Sequence, residues 1–158
     1  MDIVVSSRLK KLILTKLLKK WIIVKRLNEN SDMKTTDMSE NDLQGMGMKI
    51  MAILDSWPLT DKDKMNLLGF SDDMKERQLT RFRNGTAPFP QEEDQLERVR
   101  HLMGIQKALE VNYPLNSYMP AFWVNHFQKP LRGIPMQIMM EDGLSGMYRV
   151  WRHLDCTA

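Results

Sequence analysis

From residue 42 to the end of the chain, apolar positions return every three or four residues, the spacing of one helix face. In 42–57 the residues Met46, Ile50, Ile53, Leu54 and Trp57 share such a face, while glycines at 45 and 47 weaken the start of the helix. Pro58 ends it, because proline disfavours helical geometry in the residue before it. Thr60 and Asp63 then form a helix start, in which a hydroxyl and a third-position acid cover free amides. That predicts a short helix over 61–68, ended by Gly69, and a third helix capped by Ser71 and reaching Arg83. A loop follows at "NGTAPFP". Residues 92–111 predict a long helix with Leu96, Val99, Leu102, Met103, Ile105 and Leu109 inward, closed by Pro114. A further helix over 117–127 carries Tyr118, Phe122 and Trp123. Pro135 suits the first turn of a helix through Met140, where its missing amide costs nothing. Gly143 breaks that helix, and the last one, 144–154, carries Leu144, Met147, Trp151 and Leu154 at steps of three and four, joined by Tyr148 and Val150. No stretch alternates as a half-buried strand does, so the fold is expected to be all-α. About 125 residues suffice for a real core.

The stretch before residue 42 differs in kind. Residues 8–27, "RLKKLILTKLLKKWIIVKRL", read as a basic amphipathic helix, with Ile13, Leu14, Leu17, Trp21 and Val24 on one arc interrupted by Lys10. Its longest apolar run, 21–24, is too short for a signal-peptide core or a membrane span. Three readings stay open: a helix packing on the body or on a second copy, a membrane-surface helix, or an upstream extension, with Met33, Met38, Met46 and Met48 as alternative starts. Residues 28–41 are polar and aperiodic, as a linker is. The expected layout is a basic helix and linker over 1–41, a helix-turn-helix unit over 42–113 and a small helical unit over 114–158.

Charge changes the picture once it is divided. The net charge is +3, but residues 1–32 carry eight lysines and arginines against three acids, and the remainder carries 15 against 17. The basic excess therefore belongs to the N-terminal segment, and the body is not by composition a nucleic-acid binder. A single cysteine, Cys156, excludes an intrachain disulfide and fits a reducing, cytoplasmic setting. Fourteen methionines suit an adaptable core or contact surface.

Catalytic patterns are missing from the sequence. It holds no phosphate-cradling glycine loop, nucleophile elbow or HExxH. His153 and Cys156 would need two further ligands to hold a metal. The acids at 61, 63 and 92–94 sit at helix starts, where they favour the helix dipole. No enzymatic activity and no cofactor are expected. Residues 59–85, by contrast, have the form of a helix-turn-helix: two short helices across a glycine-containing turn, the second offering Lys75, Arg77, Arg81 and Arg83 to DNA. Asp72, Asp73 and Glu76 oppose phosphate there, and a helical hairpin kept for packing is the alternative. The stripe of the last helix is open in the same way: it is covered either by the chain's own core or by a partner, with Arg149 and Arg152 on its other face.

"FWVNHFQKPLRGIPMQIMMEDGLSGMYRVWRHLD" resembles the C-terminal toxin-binding segment of the Xre/MbcA/ParS antitoxin family. The resemblance rests on Trp123, Gly133, Pro135, Met139, Gly143–Leu144, Gly146–Met147, Val150 and Leu154–Asp155, in that order and close to that spacing. Upstream, "ILDSWPLTDKDKMNLLGFSD" and "DQLERVRHLMGIQKALEVNYP" look like the family's helix-turn-helix and connecting helix, so the match spans about 50–155. Gly133 and Pro135 stand one residue closer than in many members, and residues 1–40 have no counterpart. The resemblance implies a type II antitoxin that covers the active site of a RES-domain toxin, an enzyme that degrades NAD⁺ or transfers ADP-ribose. It implies toxin contacts from Arg132, Gly133, Pro135, Met139, Gly143, Gly146, Arg149, Arg152, Leu154 and Asp155. Operon autorepression through operator DNA, and a homodimer or a hetero-oligomer with the toxin, are also implied; a membrane partner is not. The competing reading is a stand-alone helix-turn-helix transcription regulator.

Overall fold

The computed structural model describes residues 38–157, so the basic helix and most of the linker lie outside the described residues. Seven α-helices make up the described chain: α1 Glu40–Ser56, α2 Asp61–Leu67, α3 Arg77–Asn84, α4 Glu93–Asn112, α5 Met119–Val124, α6 Pro135–Asp142 and α7 Leu144–Thr157. No strand occurs among these residues; an isolated bridge joins Gln128 to Gly133. The fold is all-α.

Side-chain caps start the first two helices. The Ser39 and Thr60 hydroxyls each accept a bond from the amide three residues on, starting α1 and α2. Two elements are shorter than the periodicity predicts. Ser71 does not cap α3: residues 71–74 form a turn closed by the Met74 amide on the Ser71 carbonyl, and the helix begins at Arg77. Adjacent aspartates at 72 and 73 favour that turn over a helix start. The helix expected over 117–127 contracts to α5, because Asn125 donates to the Ala121 carbonyl at 2.9 Å and closes its last turn.

The long helix α4 is the spine. Its main partner is α7, and it also packs on α1 and α5, while α6 packs on α7 and α2, and α1 on α3. One apolar cluster runs from Ile50 to Leu154, so the expected boundary at residue 113 cuts across a shared core. At the other end Phe70, Phe82 and Phe89 meet with ring centroids 5.4–5.7 Å apart. Buried Gly47 lets α1 approach this trio, since an added Cβ would already touch the Cβ of Phe82 at 3.4 Å. Trp57 donates from its indole to Gln106 at 2.9 Å, tying α1 to α4.

Where α7 crosses its neighbours, the helices nearly touch. A Cβ on Gly104 would run into the Trp151 ring, and one on Gly146 into the Ile138 carbonyl. The two clashes differ, because a side chain can shift whereas a helix backbone cannot. Gly146→Ala should therefore separate α6 from α7 and cost about 2–3 kcal/mol. Gly45, on α1, has nothing within 4 Å of its added Cβ. Gly45→Ala should stabilise by roughly 0.5–1 kcal/mol through helix propensity. Chemical denaturation of both variants checks the pair.

Three charges hold α1, α2 and α3 together. Asp55 receives Lys64 Nζ at 2.7 Å and a two-pronged contact from Arg83, Nε at 2.6 Å and Nη2 at 2.8 Å. Lys64 is the one charged residue buried among those described, at 7% exposure. The Arg83 bonds outweigh the opposing effect of burial and, with Lys64, hold the Asp55 carboxyl at about 2 against an ordinary 3.8. A lowered carboxyl pKa stabilises fully above pH 4 and loses that contribution as pH falls towards 2. Asp55→Asn should cost about 1–2 kcal/mol at pH 7 after allowance for solvent screening. The gap from wild type in urea midpoint should close between pH 4 and pH 2.

Candidate partner-binding face

The last helix buries its ridge within the chain. Met147 and Val150 are fully buried and Leu154 is 2% exposed, packed with α4 and α6, while Leu144 and Trp151 are partly covered. Of the ten residues expected to meet a toxin, four are therefore corrected. Pro135, Met139, Gly146 and Leu154 are buried in this chain's own core and present no surface to a partner. Pro135 starts α6, Met139 fills the core, and Gly146 is the close-approach point. Gly143, at φ +61°, ends α6 against the Arg98 guanidinium, and half-buried Gly133 pairs with Gln128. These two also act through the backbone.

Arg132, Arg149, Arg152 and Asp155 lie on the surface. Arg149 donates to the Leu131 carbonyl, fastening the outer face of α7 to the tight turn Lys129–Leu131. Partial burial raises the Asp155 carboxyl above its ordinary pKa. His153 stacks on buried Trp123 at 6.3 Å, and Gln128 donates to the Trp123 carbonyl, so α7, the turn and the end of α5 form one continuous region. His101 is an interhelix residue, edge-on to Trp151 at 5.2 Å and with Nδ1 2.6 Å from the Glu97 carbonyl oxygen. No group of three or more metal-ligating side chains occurs among the described residues, and Cys156 is exposed.

Tyr118, Phe122 and Phe127 fall within the helix expected over 117–127 and Leu115 lies just before it; none was read as surface. Leu115 is fully exposed, Tyr118 82%, Phe127 64% and Phe122 53%. His126 lies flat on Phe122, with ring centroids 3.6 Å apart. Four large apolar side chains left exposed within thirteen residues are unusual for a surface segment, and aromatic side chains of this kind are enriched where proteins meet partners. A sequence signal was present: prolines at 114, 120 and 130 leave too short a helix to bury two faces.

The expected helix-turn-helix is altered. The connection over 68–76 is longer than the three- or four-residue turn of that motif, and α3 rests on α1. Arg83, expected among the DNA-contacting residues, is paired with Asp55 while its side chain stays 37% exposed. Lys75, Arg77 and Arg81 remain exposed. No helix among the described residues is long and apolar enough to cross a membrane. Comparison with protein-family models, curated proteins and solved structures found no match.

Proposed function

We propose that this chain is an antitoxin that docks through the aromatic and arginine-bearing face onto a RES-domain toxin and obstructs its active-site cleft. One observation carries the reading: Leu115, Tyr118, Phe122 and Phe127 are all exposed within thirteen residues of the chain, and Arg132, Arg149 and Arg152 are exposed in the segment that follows. Exposed apolar surface of this kind is stabilised by a cover, and aromatic and arginine side chains supply most of the affinity in protein interfaces. The motif resemblance names the partner class. The buried motif residues support the reading indirectly, since they seat α7 and the turn that bear the arginines. The chemistry belongs to the toxin; the antitoxin supplies shape and charge.

Co-expression with the product of the adjacent reading frame, expected to be a RES-domain protein, tests this. The complex should co-purify and restore cellular NAD⁺. Phe122→Ser with Phe127→Ser should weaken it at least about 30-fold while leaving the melting temperature within a few degrees, because neither ring is buried. Absence of a wild-type complex, or full binding by the double variant, overturns the reading.

A second role, repression of its own operon, is favoured by Arg77 and Arg81, exposed one helical turn apart on α3. Arg77→Ala and Arg81→Ala should each weaken binding to the upstream duplex and flatten its dependence on salt. Arg83→Ala should instead lower fold stability through Asp55. A stand-alone regulator would bind that DNA without any toxin.

A further inference from the structure

A cleft of about 860 Å³ opens between α2, the connection that follows it, Arg98 of α4 and the C-terminal end of α6. Phe70, Met65, Met74 and Met140 supply its apolar lining, and methionine adapts to the shape laid against it. Five carboxylates line the same cleft: Asp63, Asp72, Glu76, Glu141 and Asp142. None of these carboxyl groups has an ion-pair or hydrogen-bond partner among the described residues. The cations there are Lys62 and Arg98, and Arg98 is committed to Asp94 at 3.0 Å. The cleft is therefore negative; it repels phosphate and attracts cationic groups.

A cationic segment is tethered within reach. Residues 8–27 carry eight lysines and arginines and no acid, with Ile13, Leu14, Leu17, Trp21 and Val24 at helical spacing. Residues 28–37 separate that segment from the first described residue, and ten residues can span about 33 Å. The path is short. Near the start of α1 the Leu43 carbonyl accepts from the Phe89 amide at 3.3 Å, the Phe89 ring lies 5.7 Å from the Phe70 ring, and Phe70 lines the cleft.

We propose that residues 8–27 dock in this cleft of their own chain, with lysines on the unpaired carboxylates and the apolar arc on the methionines. This goes beyond the antitoxin reading and needs no toxin. The tether favours the chain's own segment over a second copy, since it sets an effective concentration on the order of millimolar. Exposed ion pairs contribute little singly, so the seat depends on several at once and weakens with salt.

Zero-length carbodiimide coupling of the full chain, read by peptide mass spectrometry, tests this, because it joins an amine to a carboxylate only where the two meet. Links should run from Lys10, Lys11, Lys16, Lys19, Lys20 or Lys25 to the cleft carboxylates. They should fade in about 1 M sodium chloride, where charges are screened beyond about 3 Å. Glu76→Lys with Glu141→Lys should cut the links to Asp63, Asp72 and Asp142 about tenfold. The melting temperature should hold, since both side chains are exposed and unpaired. Lys16→Glu with Lys20→Glu, which lies outside the described fold, should likewise cut the links from Lys19 and Lys25. A mixture of isotopically heavy and light chains separates the occupants: links within one isotope support the proposal, and links of mixed isotope give the cleft to a second copy and overturn it. It is also overturned by the absence of links, by links to Glu110 and Asp155 as frequent as those to the cleft, or by unchanged links in the charge-reversed chains.

Discussion

Everything on the C-terminal side of this protein follows from how closely α7 is laid against α4 and α6. Helix axes approach this near only where a side chain is missing, and the chain supplies glycine at both crossings, Gly104 under the Trp151 ring and Gly146 over the Ile138 carbonyl. With α7 seated there, its apolar ridge is consumed: Met147, Val150 and Leu154 become core. The opposite face then has one direction left, which is outward, and it carries Arg149 and Arg152. Arg149 extends the consequence to the next element by holding the turn at Leu131.

The N-terminal side depends on a different interaction. Two of its three helices, α2 and α3, are short and joined by a long connection, so apolar contact alone leaves their placement on α1 loose. The Asp55 carboxylate meets this by accepting from α2 and α3 at once, through Lys64 and Arg83. Removing any one partner would leave a charge in a partly dry place, which is why such clusters act as registers for packing. The same cluster occupies Arg83 in an ion pair and leaves Arg77 and Arg81 of α3, with Lys75 just before it, as exposed cations. Glycine and charge thus perform one task at opposite ends of the molecule, fixing where helices sit.

The ordered motif near the end of the chain therefore divides by physical role. Gly133, Pro135, Met139, Gly143, Gly146 and Leu154 make the scaffold through turns, caps and close contacts. Arg132, Arg149, Arg152 and Asp155 ride on it at the surface. Around them, α5 is too short to bury both of its faces, and it spends Trp123 and Val124 on the core while Tyr118 and Phe122 stay exposed. A motif recurring in sequence reports the scaffold as readily as the contact surface, since both constrain residue choice.

The helical class, the cap at Thr60, the break at Gly143 and the inward residues of α4 follow from local rules, so they stood in the sequence by itself; the first helix starts at Glu40, two residues before the expected 42. Periodicity, capping and proline geometry act within one turn of helix and need no distant neighbour. Three matters were decided only by tertiary structure. Whether Met147 and Leu154 faced the core or a partner depended on the width of a gap some forty residues away, at Gly104. Whether Arg83 was free depended on Asp55, one helix distant. Which aromatics were covered depended on how much core α4 and α7 had already filled. A stripe of apolar residues says that something must cover it; only the packed chain shows what does.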